Sequence, residues 1–178
     1  MKKMLCAIIL LISSSSALSD NMQFSLSNDM VEAAYQANFG KNYNSQFKLM
    51  HADEDNEDSN TLSAGLFASN QSGRWTSNLG GKFYWLDAEK SKSYGIGLGG
   101  SVAAAITPII SLGGALIISP DIINGGDYET FYDAEIRADF KVMQHASLFI
   151  AYRLVKAEIN SFDLEAYNGG AIGFKFDL

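Results

Sequence analysis

Beyond residue 20 the chain alternates apolar and polar residues with a period of two, segment after segment. Successive side chains of a β-strand point to opposite faces, so each segment predicts a strand with one apolar and one polar face. Met22, Phe24 and Leu26 open the series, and Val31, Ala33, Tyr35, Ala37 and Phe39 follow, opposite Glu32, Gln36 and Asn38. Between Tyr43 and His51, Phe47 and Leu49 are interleaved with Gln46 and Lys48. After an acidic interruption Leu62, Ala64, Leu66 and Ala68 resume the stripe. Trp75, Leu79, Phe83 and Trp85 share one parity, with Arg74, Thr76, Asn78, Lys82 and Tyr84 on the other. Tyr94, Ile96, Leu98, Val102, Ala104 and Ile106 alternate with Gly, Ser and Ala; past Thr107-Pro108, Ile110, Leu112, Leu116 and Ile118 run back. The clearest alternation sets Tyr132, Ala134, Ile136, Ala138, Phe140 and Val142 against Asp133, Glu135, Arg137, Asp139 and Lys141. Leu148, Ile150, Tyr152 and Leu154 then oppose Ser147, Ala151 and Arg153, and Ile172, Phe174, Phe176 and Leu178 oppose Ala171, Gly173, Lys175 and Asp177.

Several of these segments reach ten residues or more, where strands of soluble domains average about 5–6 and a strand crossing a bilayer needs about 9–11. Connections near 40–43, 70–73, 107–108 and 143–145 are short, and those at 52–60, 87–92, 119–129 and 158–166 are longer, in strict alternation. Short turns on one side and long loops on the other belong to an up-and-down outer-membrane barrel with its long loops extracellular. The expected fold is therefore all-β, an up-and-down antiparallel transmembrane β-barrel. Nine strands are clear and the piece from Met22 to Ser27 supplies the tenth; eight is the alternative if two weak N-terminal pieces do not pair. A closed barrel also satisfies every backbone group of the last strand, which carries its apolar stripe to Leu178. The competing class is a soluble periplasmic β-sandwich or lipocalin-like binder, whose solvated face would carry the same mixed charges.

The first residues change the picture by placing the chain outside the cytoplasm. Lys2 and Lys3 precede the apolar run Met4 to Ile12 and the small-residue zone Ser13 to Ser19. Together they form a secretory signal peptide over 1–19, too short to span a bilayer. The body from residue 20 onward then contains no cysteine, because Cys6 lies within the removed segment, and it uses no disulfides. Loss of Lys2 and Lys3 takes the formal charge from -7 to -9, which disfavours nucleic acid as a partner. No apolar run in the body is long enough for a membrane-spanning helix.

Order and texture along the chain resemble the YfaZ-type outer-membrane proteins. The shared features are the signal peptide, the acidic segment Asp53 to Asp58, the Gly-alternating hairpin Ser93 to Ser119 and the Ala-Tyr-Arg-Leu segment Ala151 to Leu154. The resemblance implies an outer-membrane barrel, loosely porin-like, with no established chemistry. Such barrels usually end in Phe or Trp, whereas Leu178 stands here.

Candidate chemistry is sparse. His145 and Ser147 have the His-x-Ser spacing of outer-membrane lipid A deacylases, but Leu148 replaces the Asn that follows the serine there. A periplasmic turn histidine is the favoured reading. Five carboxylates between Asp53 and Asp58 form an exposed loop, and an EF-hand fails because Asp58 and Ala64 stand where Gly and Glu are needed. His51 is alone. Gly95, Gly97, Gly99 and Gly100 sit within a strand pattern, so they serve close wall packing instead of phosphate binding. No cofactor, metal or catalytic residue is expected. Trp75, Trp85, Tyr94, Tyr132 and Tyr152 are candidate membrane-interface anchors. The inward polar set is Glu32, Lys48, Arg74, Lys82, Asp133, Glu135, Arg137, Asp139, Lys141, Arg153 and Lys175. It either plugs a narrow lumen with paired charges or lines a small pore. Ile172, Phe174, Phe176 and Leu178 are expected to signal barrel assembly. The expected partners are outer-membrane lipid, lipopolysaccharide and the barrel-assembly machinery, the protein itself being monomeric.

Overall fold

A computed structural model describes residues 20–40, 42–54, 57–88, 91–120, 124–126, 130–159 and 162–178; the signal-peptide assignment over 1–19 lies outside them. The strands are β1 (Asn21–Leu26), β2 (Met30–Phe39), β3 (Tyr43–Glu54), β4 (Glu57–Ser72), β5 (Trp75–Ala88) and β6 (Ser91–Ala105). There follow β7 (Ile110–Ser119), β8 (Asn124–Gly126), β9 (Thr130–Met143), β10 (Ala146–Ile159) and β11 (Phe162–Asp177). Each pairs antiparallel with its chain neighbour, except that β8 is a three-residue addition to the far end of β6 and β7 pairs directly with β9. The ring closes where β1 meets β11, from Asn21↔Asp177 to Leu26↔Ile172, and the result is a closed ten-strand barrel. The weak first segment is thus the closing strand, and the eight-strand alternative falls away.

Burial is inverted relative to a water-soluble protein. Leu79, Leu66, Ile136 and Ile172 are 72%, 69%, 66% and 65% exposed, while Glu32, Lys82, Asp133 and Arg153 are buried. Every outward stripe read from the alternation faces away from the barrel axis, and only a hydrocarbon surround makes that arrangement stable. Along β5 the outward aromatics Trp75 and Trp85 lie ten positions apart. That is ~33 Å along the strand, or about 25 Å of height at the usual tilt of about 40°, which matches the apolar band of an outer-membrane barrel.

The near rim carries Asp20 and Leu178, joined by Leu178 N–H donating to the Asp20 carbonyl at 2.7 Å. All four short turns lie on this rim. Gly40 and Gly73 adopt left-handed φ values of 66° and 59° there, which a side chain disfavours. Thr107 Oγ1 accepts from the N–H of Ile110 at 3.0 Å and sets the β6–β7 turn.

The far rim differs from expectation. The acidic stretch is not a loop as a whole: β3 runs to Glu54 and β4 starts at Glu57, with Asp53↔Asp58 and Glu54↔Glu57 in register, leaving only 55–56 outside the described residues. Likewise β5 and β6 pair to Ala88↔Ser91, β10 and β11 pair to Ile159↔Phe162, and β8 occupies part of the segment 119–129. Ladder bonds are made by the backbone, so hairpins continue into water as two-stranded ribbons whatever their side chains. Charge kept these residues out of hydrocarbon without keeping them out of strands.

Glycine lets the wall close tightly. A Cβ at Gly99 would come within 2.0 Å of the Leu116 carbonyl oxygen, and one at Gly100 within 2.0 Å of that of Asn78.

Candidate functional site

Period-two alternation on every strand sends its polar face inward, so the lumen gathers ionisable groups from many strands. Five charges from five strands are linked across it. Arg153 on β10 donates from Nε to Asp133 Oδ1 on β9 at 3.0 Å, and from Nη2 to both carboxylate oxygens at 2.9 and 3.0 Å. Its Nη1 reaches Glu32 on β2, and Glu32 in turn pairs with Lys48 on β3 at 3.4 Å. On the other side Lys82 of β5 bonds Asp133 Oδ2 at 2.5 Å. The chain Lys48–Glu32–Arg153–Asp133–Lys82 therefore spans the barrel, with Arg153 using its planar fork to join two carboxylates.

Directly beyond it toward the far rim lies an apolar layer. Met30, Met50, Tyr84, Leu86, Phe131 and Val155 belong to one buried cluster, and the rings of Tyr84 and Phe131 stack with centroids 4.0 Å apart. Each charge of the chain has one of these residues two positions farther along its own strand: Met30 after Glu32, Met50 after Lys48, Tyr84 after Lys82, Phe131 after Asp133 and Val155 after Arg153. Charge and apolar residue thus occupy successive inward positions, and the two layers stack.

A second polar level lies toward the near rim. Arg137 donates to Asp139 from Nε at 2.9 Å and to Gln23 from Nη1 at 2.5 Å, and its guanidinium sits 3.9 Å from the centre of the Phe149 ring. Asn44, Asn78 and Ser101 form a side-chain relay with successive bonds of 2.9 Å.

The remaining inward candidates are placed as follows. Glu135 is half-buried on β9, and Lys175 approaches Asp177 at 3.7 Å near the rim. Lys141 is exposed at the near end of β9. Arg74 lies in the exposed β4–β5 turn and takes no place among the crossing charges, since its strand begins only at Trp75. The apolar layer was missed because Phe131, Leu86 and Met50 share the polar parity. Its trace in the sequence is one apolar residue two positions from each of the five crossing charges.

Trp75 lies at the near end of β5, Trp85 pairs with Tyr94 toward the far end, and Tyr132 pairs with Ile118. Tyr152 donates to Asn168 Oδ1 at 2.7 Å on the outer surface. His145 is exposed in the β9–β10 turn, and among the described residues no hydrogen bond joins it to Ser147. His51 faces out and bonds Asn60 at 3.1 Å.

A family model described as YfaZ precursor matches residues 1–178. No curated protein matches the chain. Among solved structures, a bacterial polysaccharide outer membrane secretin superimposes with a TM-score of 0.54 at 8% identity, covering 84% of this chain. The chain spans 56% of that protein, and the likeness is one of fold. The NanC porin (TM-score 0.47, 10% identity, 90% of this chain and all of that one) and the KdgM porin (0.45, 9%, 90% and 99%) are more distant. With its closed even-numbered ring and apolar exterior this is an integral outer-membrane β-barrel, and the chain belongs to the YfaZ precursor family.

Proposed function

We propose that this protein is a structural outer-membrane barrel whose lumen is closed at rest. The observation that carries this reading is Arg153, which holds Glu32 and Asp133 from opposite directions beneath the stacked Tyr84 and Phe131. Three cations and two carboxylates so joined leave little room for water, and the apolar layer beyond them disfavours any ion that comes unhydrated. A second reading, a narrow channel for small solutes, draws on the polar level around Arg137 and the Asn44–Asn78–Ser101 relay. We assign no enzymatic activity. The partners that fit are outer-membrane lipid, lipopolysaccharide and the barrel-assembly machinery, which would read the outward stripe Ile172, Phe174, Phe176 and Leu178; the barrel acts as a monomer.

Swelling of proteoliposomes in a small sugar separates the two readings. The closed barrel leaves the vesicles unchanged, whereas a solute channel makes them swell at a rate that scales with protein content and sinks the first reading.

A further inference from the structure

One stretch of the outer wall lacks the strand pairing its neighbours have. β1 stops at Leu26 while β11 continues past its last β1 partner, Ile172, so above that level β11 has no β1 residue beside it. The bond from Leu178 N–H to Asp20 shows that even-numbered residues of β11 direct their main-chain groups to this side. At Gly170 the hydroxyl of Tyr167 takes the place of a strand and donates to the carbonyl at 3.0 Å. Farther up, Ser59 Oγ donates to the Ala166 carbonyl at 3.4 Å.

A groove of about 540 Å³ lies at this step, with Leu26, Ile150 and Ile172 as walls, Ala151 and Gly170 in its floor and Ser27 on its rim. The fold does not demand a glycine at its centre. A Cβ at Gly170 would touch only the Ala151 carbonyl oxygen, at 3.9 Å, and the backbone there is not left-handed. The contrast with Gly99 and Gly100, where a Cβ collides with backbone, marks Gly170 as a position left open by composition and not by packing.

We propose that this groove holds one acyl chain of a membrane lipid. It opens on the lipid-facing belt and is continuous with it, so hydrocarbon is what surrounds its mouth. The large side chains along its body, Leu26, Ile150 and Ile172, are apolar, and the polar side chains that line it, Ser27 and exposed Asn28, stand at its upper edge on the β1–β2 turn. That division fits a chain lying against Gly170 with its polar head at the turn. The site is on the outside of the barrel and stands whether or not the lumen conducts.

The test is native mass spectrometry of the barrel, reconstituted in vesicles of phosphatidylethanolamine and phosphatidylglycerol and released in mild detergent. The wild-type barrel keeps one lipid, and Gly170→Leu lowers the retained fraction by about tenfold, as a loss of one filled apolar contact site predicts. Ser27→Trp closes the same groove from the turn and gives the same loss even if Gly170→Leu fails to fold. Gly114→Leu, outward on β7 where a Cβ also fits, leaves retention unchanged. A wild-type barrel that keeps no lipid, equal retention in wild type and the folded groove variants, or equal loss in Gly114→Leu overturns the proposal.

Discussion

Arg153 is the residue on which the lumen depends most. It is 4% exposed and bridges Glu32 on β2 to Asp133 on β9. Arg153→Ala leaves Glu32 to Lys48 and Asp133 to Lys82 and breaks the bridge between them; with a lysine still on each carboxylate the loss should be about 3 kcal/mol, the low end for a broken buried pair. The urea midpoint of folding, followed by heat-modifiable gel migration, should fall accordingly. Lys175→Ala offers the contrast, since Lys175 and Asp177 are 3.7 Å apart at about one third exposure. Its effect should stay below about 1 kcal/mol in the same assay. Glycines divide in the same way. Gly99→Ala forces a Cβ against the Leu116 carbonyl and should prevent the folded gel shift, whereas Gly114→Ala, whose nearest neighbour is 3.4 Å away, should fold. The five crossing charges were legible as inward residues from parity alone. Which of them pair was not, because Arg153 and Glu32 lie 121 positions apart and only closure of the ring brings β10 and β2 to face each other.

At the scale of elements, the strands were legible and their ends were not. Alternation locates a strand while one face meets lipid; past the headgroups both faces are wet and the pattern fades, though the ladder continues through Asp53↔Asp58. The acidic hairpin end should accordingly be dispensable for the barrel: replacing Asp53 and Asp58 by Asn leaves the gel shift in place and changes the unfolding free energy from urea titration by no more than about 0.5 kcal/mol. The last strand is different. Deleting Phe176 to Leu178 removes the Met22↔Phe176 and Asn21↔Asp177 pairs and the bond to Asp20 that close the ring. Assembly should be lost, and Leu178→Phe should raise the assembled fraction; a truncated chain that still yields a heat-modifiable band in the membrane fraction counts against an assembly role for this stripe.

For the molecule as a whole, one wall and two stacked internal layers account for the inverted burial. The wall meets lipid with its apolar stripes. The charge chain ties five strands together from within, and the apolar layer of Met30, Met50, Tyr84, Leu86, Phe131 and Val155 covers it on the far side. Closure of the lumen is the central claim, and single-channel recording in a planar bilayer tests it most directly. The wild-type barrel should give no steady current, and the double variant Arg153→Ala, Phe131→Ala, which removes the bridge and one of the stacked rings, should give small, regular steps. A steady ohmic current through the wild-type barrel, unchanged in the double variant, would contradict it.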